Sequence, residues 1–248
     1  MSKTLFVTWQ DSKSRRWYPV GRLSCKGNVY EFVYTNGAKD AFDHAGFTMF
    51  GRMQSLDEVY TSNKLFPLFA NRLLEKSRPE YKDFIKWLDL EGKDVDPFVV
   101  LSLTEGLRGT DNLEVLPCPE KTIDNNYELV FFSRSLSHCP PHSVECVNKL
   151  KPADSLFLMH DMQNAWHSYA IAIRTIEPIT FVGYCPRYLC NDFHQILKSQ
   201  DVTNCKISVC RVNTDAPTQL RLLCHFKAPW PADFTPCSSV EFLPYGRR

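Results

Sequence analysis

Between Leu156 and Ser199 the chain reads LFLMHDMQNAWHSYAIAIRTIEPITFVGYCPRYLCNDFHQILKS, and the side chains able to line a ligand cleft crowd into this stretch. Asn164, Trp166 and His167 share a polar loop, and Tyr184 and Arg187 stand at the mouth of a following helix. Indole and phenol rings offer flat faces with a polar tip. A guanidinium in the first turn of a helix adds to the free backbone N–H groups that already favour an anion. By itself the pattern names no ligand.

Other groups with chemical potential have weaker context. Cys185 directly precedes the helix, where a helix N-terminus lowers a thiol pKa, or it is inert beneath Pro186. His138, Cys139, His142 and Cys146 carry the atoms of a tetrahedral zinc site. Their adjacent placement and the Pro140-Pro141 insertion depart from finger spacing, so a surface loop is expected and no metal is assigned. Arg15 and Arg16 beside Trp17 have the types to track a phosphate backbone, yet charged hairpin edges are ordinary. The polar run Thr104–Asp111 looks functional but matches no reaction. No Ser-His-Asp or Cys-His arrangement has local support, so no catalytic residue, cofactor or enzymatic activity is expected.

The elements that must position the loop are legible from periodicity. Leu156–Met159 is an apolar run, Ala170–Ile173 alternates as a strand, and Ile179–Gly183 forms a second short strand. Leu189, Phe193, Ile196 and Leu197 then recur at the spacing of one buried helical face. Strands are also expected at Tyr127–Phe132, Lys206–Val212 and Leu220–Phe226, and short strands with one good helix make a small barrel. In the first half, strands are expected over 4–9, 16–25 and 29–35, with Gly27-Asn28 as a hairpin turn and Asn36-Gly37 ending the third. Helical spacing starts near Lys64, with Pro67 in a first turn. Ser77–Glu80 has the form of a capping box, and Asp96-Pro97 opens a third helix that Gly106 stops. The fold class is thus α+β, with an N-terminal hairpin-and-helix domain (1–116), a polar connection, and a C-terminal barrel domain (127–248). The tail from Pro229 is expected to drape over a surface.

With 248 residues, 44% hydrophobic and 23% charged, the composition is that of a globular chain. No apolar run approaches a membrane span and the N-terminus lacks a signal-peptide shape, so no membrane partner and a cytoplasmic location are expected. The ten cysteines form no C-x-x-C pair and are expected to be reduced. A formal net charge of +1 predicts no strong nonspecific affinity for polyanions, so any nucleic-acid binding must come from a local site.

The order Gln163-Asn164-x-Trp166, Ala170-Ile171, Val182-Gly183-Tyr184, Pro186-Arg187 and helix resembles the HIRAN domain over roughly Tyr127–Phe234. That family occurs in SWI/SNF-type DNA remodellers and as stand-alone bacterial proteins. The resemblance implies an OB-like barrel and a partner in single-stranded DNA, captured at its 3′ end. Carried onto this chain, it places the end-binding loop on Asn164, Trp166 and His167, with Tyr184 and Arg187 at the terminal nucleotides and phosphate, and Arg134 matching a family arginine. His167 stands where the DNA-end binder has an aspartate, which puts selectivity for a 3′-hydroxyl in doubt. The first half is similar, more faintly, to the small N-terminal subdomain of HipA-type kinases through Val20-Gly21-Arg22-Leu23, Tyr30-x-Phe32-x-Tyr34 and Leu65–Phe69. That likeness implies an alternative role as a regulatory partner of a HipA-type kinase or defence system, without direct DNA binding and without kinase activity of its own; a kinase-type or DNA-repair/defence protein is the expected protein partner.

Overall fold

The computed structural model describes residues 3–246. The chain divides into two compact units, one of Met1–Arg78, Asp94–Cys118 and Thr235–Arg248, the other of Pro79–Lys93 and Pro119–Phe234. The strands are β1 (Lys3–Gln10), β2 (Trp17–Lys26), β3 (Val29–Tyr34), β4 (Val59–Ser62), β5 (Leu113–Pro117), β6 (Asn126–Phe132), β7 (Ser155–His160), β8 (Ile171–Arg174), β9 (Phe181–Tyr184), β10 (Lys206–Val212) and β11 (Leu222–Pro229). The helices are α1 (Asn36–Ala45), α2 (Pro67–Ala70), α3 (Tyr81–Trp87), α4 (Pro97–Thr104), α5 (Pro141–Val147) and α6 (Arg187–Ser199). Among the described residues no helix is long and apolar enough to cross a membrane.

The first unit is built on an antiparallel sheet in the order β4-β3-β2-β1-β5. Val20, Leu23, Phe32, Tyr34, Phe69, Leu101 and Val115 fill its core. The third strand ends at Tyr34, just before Asn36-Gly37 as expected, and the same pair also opens α1, with Gly37 packed so closely on Pro19 that a side chain there would overlap the Pro19 carbonyl. The helix expected past Leu73 stops after one turn at Ala70. The chain beyond it carries Arg72 to the Gly106 carbonyl and Asp111 instead, each at 2.6 Å. The Ser77–Glu80 capping box does not form: Glu80 already has helical backbone angles and no side chain caps α3. Asp96, by contrast, accepts from the Phe98 amide at 2.8 Å and caps α4. The tail lies on this unit, with Phe242 edge-on to Phe6 at 4.9 Å and Pro244 bridged to Thr35.

The second unit curls an antiparallel sheet in the order β6-β11-β10-β7-β8-β9 around α6. Leu189, Phe193 and Ile196 turn inward from α6, and Phe193 stacks on Phe226 with centroids 4.1 Å apart. The two edges of the sheet meet at one bridge, where Arg134 N–H donates to the Tyr184 carbonyl at 2.8 Å and Tyr184 N–H donates back at 2.9 Å. Ser133 Oγ adds a bond to the Val182 carbonyl at 2.7 Å. Gly183 makes this closure possible. Its φ of 117° suits only glycine, and a side chain would run into Ser133 Oγ and lie 2.6 Å from the Arg134 carbonyl. The α3 segment belongs to this unit: Arg211 pairs with Asp89 at 3.2 Å and Glu91 at 3.4 Å, and buried Asn213 donates to the Trp87 carbonyl at 2.9 Å.

Candidate functional site

The loop between β7 and β8 is shaped by Asn164. Its side-chain oxygen accepts the N–H groups of Trp166 and His167, both at 3.0 Å, which is the Asx turn that asparagine forms readily. Its side-chain nitrogen donates to Asp161 Oδ2 at 2.9 Å. The Tyr184 hydroxyl reaches across from β9 and donates to the same oxygen at 2.8 Å. Asp161 therefore ties the loop to the strand that closes the barrel. The bonds from Asn164 and Tyr184 hold its carboxyl below the usual range. Burial, and then Asp161 itself, push the Tyr184 phenol up.

Above this base Trp166 is 87% exposed and Met162 is 78% exposed. An indole buried in the barrel would be the ordinary fate of such a residue; here the backbone on both sides of it is fixed and the ring stands in solvent. Arg187 is exposed in the first turn of α6. Burial depresses the His167 pKa first, and the nearby Arg187 charge and His194 add to the effect. His194 lies a further two turns along α6, with its ring 4.4 Å from His160 and 5.5 Å from Tyr169.

Of the six residues singled out from sequence, Asn164, Trp166 and His167 share the loop, Tyr184 is bonded to it through Asp161, and Arg187 acts electrostatically on His167. Arg134 joins them through its backbone, which pairs with Tyr184 at the seam, and its side chain is half-buried. Asn164 has a positioning role, since its amide bonds lie within the loop. The sequence reading passed over Asp161, His160, Tyr169 and His194. Arg187, Asn191, His194 and Lys198 follow helical spacing along one face of α6, a polar stripe that points to His194.

The remaining candidates resolve into structural parts. Cys185 is 4% exposed and burial lifts its thiol well above the normal value, so it is not an activated nucleophile. The expected loop at His138–Cys146 is instead a short 3-10 turn followed by α5, and no cluster of three or more metal-ligating side chains occurs among the described residues. Arg16 pairs with Asp40 at 3.1 Å and lies 4.5 Å over the Tyr18 ring. A groove of about 720 Å³ between α5 and the β8–β9 turn contains none of the six residues.

Residues 126–231 match the HIRAN domain. The match opens with β6 and ends just past β11, so it spans the curled sheet and the whole of the loop and α6. HIRAN is a DNA-binding domain, and the match supports nucleic-acid binding by this region. Among solved structures, that of a protein from Lactobacillus plantarum is similar at a TM-score of 0.31 and 12% identity, covering 42% of this chain and 98% of its own. No curated protein matches.

Proposed function

We propose that this protein is a nonenzymatic module that grips the end of single-stranded DNA with the HIRAN-matching region. Trp166 and Tyr184 stack on terminal bases, Arg187 and Arg134 hold phosphate, and Asn164 and Asp161 keep the loop in shape. The observation that carries this reading is a solvent-exposed indole, at 87% exposure, mounted on a backbone braced by Asn164. Ordering a flexible loop on binding costs free energy that a braced loop avoids. Stacking of a base on an aromatic ring contributes about 1–3 kcal/mol and tolerates any base.

With a net charge of +1 and few cations near the loop, affinity is expected to be modest and to change little with salt. Labelled oligonucleotides with free and blocked 3′ ends, titrated against the full chain, test the reading. Preference for one kind of end, lost in Arg187→Ala, supports it. Equal weak binding to both that Arg187→Ala leaves unchanged removes it.

A further inference from the structure

Three histidines from three segments meet beside the loop. His160 ends β7, His167 lies in the loop and His194 lies midway along α6. The rings of His160 and His194 are edge to face at 4.4 Å, and Tyr169 sits between His194 at 5.5 Å and His167 at 6.3 Å. The groups facing them are Arg187 and Lys198 from α6, the Tyr184 phenol from β9, and Asp161. Asp161 is the carboxylate of the set, and one of its oxygens is already shared by Asn164 and Tyr184.

Hydrogen bonding fixes what these rings can offer. His160 Nε2 lies 3.1 Å from the Ser168 carbonyl and His194 Nε2 lies 3.2 Å from the Tyr169 carbonyl. A carbonyl only accepts, so each Nε2 must carry a hydrogen. In the neutral ring Nδ1 then bears a lone pair, which repels an anionic oxygen. Once protonated, the same Nδ1 becomes a charged donor. Burial first, and then the neighbouring Arg187 and Lys198 charges, keep His167 and His194 below the usual imidazole pKa, which favours the neutral rings near pH 7.

A proton on His167 or His194, added beside the Arg187 and Lys198 charges, is unfavourable unless an anion offsets it. An internal phosphodiester brings one negative charge, whereas a terminal monophosphate, with a second pKa of about 6, brings up to two. We infer that His160, His167 and His194, together with Arg187, form a proton-gated subsite for the terminal phosphate of a single-stranded end, in preference to a terminal hydroxyl. The inference rests on the DNA-end reading above and specifies which end chemistry that site takes.

The test measures affinity of the full chain for one oligonucleotide sequence ending in 3′-hydroxyl, 3′-phosphate or 5′-phosphate, at pH 8 and pH 6.5. A phosphate-ended strand is expected to gain about ten-fold as pH falls, the effect of roughly one linked proton, and the hydroxyl-ended strand much less. Calorimetry in buffers of different ionisation heat should register that proton uptake on the unaltered protein. His194→Gln, checked by thermal melting, should flatten the pH profile. Equal affinity for phosphate and hydroxyl ends at both pH values, or binding without proton uptake, overturns the subsite while leaving DNA binding intact. Failure of every oligonucleotide to bind at either pH overturns the underlying DNA reading instead.

Discussion

The segments Thr104–Asp111 and Asp161–Tyr169 are both polar, both lack apolar periodicity and both adjoin regular structure, yet their hydrogen bonds run in opposite senses. In the first, the Arg72 side chain is 1% exposed and its guanidinium closes on Gly106 and Asp111. Glu105, 5% exposed, bends the chain there with a φ of 56°. Arg72 and Glu105 are turned inward there, and the result is a strut. In the second, the half-buried Asp161, Asn164 and Tyr184 bond to one another and leave Trp166 exposed beside them. The same kind of network there acts as a base plate. What separates the structural cluster from the one proposed to bind DNA is which side chains the network leaves over.

Four substitutions sharpen that contrast. Gly183→Ala is expected to cost the most, about 4 kcal/mol, because the new side chain meets Ser133 and Arg134 at a backbone angle only glycine tolerates. Urea unfolding would measure it, and binding should fail with the fold. Arg72→Ala strands a carboxylate and a carbonyl and is expected to lower stability by about 3 kcal/mol without changing DNA affinity per folded molecule. Trp166→Ala should do the reverse: affinity falls by about 1–3 kcal/mol while the thermal midpoint hardly moves, as an exposed ring implies. A melt that shifted as far as the affinity would erase the distinction between the two clusters.

The smallest effect concerns Asp192, half-buried on α6 under a bond from the Tyr127 hydroxyl at 3.1 Å. Burial pushes its carboxyl up to about 6. The native state then keeps its proton where the unfolded chain, with a pKa of about 3.9, has lost it. The associated stability is complete below about pH 4 and drains away as pH rises to about 6. Asp192→Asn should remove that slope and raise stability at pH 7 by about 1–2 kcal/mol, readable from melts across pH.

Much of the second unit was legible because its signals are local. Alternation and β-branched content place β6, β7 and β10 within a residue or so of the expected bounds, and the i, i+4, i+7 apolar spacing defines α6. The first-half helices read less well for equally physical reasons. The sequence of α1 begins with Asn-Gly, a turn signal that ends β3 and hides the helix that follows, where Gly37 packs against Pro19. Helical spacing through Leu73 and Leu74 loses to the contacts of Arg72. At the site, the loop residues announced themselves by type, but Asp161 did not. Its importance depends on Tyr184 arriving from another strand, which no local pattern encodes.

The interleaved chain path also dictates an order of assembly. Phe242 and Pro244 clasp the first unit at Phe6 and Thr35, yet they are synthesised after every residue of Pro119–Phe234. During translation the N-terminal strands must therefore wait, one aromatic contact short, until the ribosome has delivered the whole HIRAN-matching region. Cutting the gene at residue 126 would produce two damaged fragments: one deprived of its late-arriving clasp, the other lacking Trp87 and Asp89, the partners of Asn213 and Arg211.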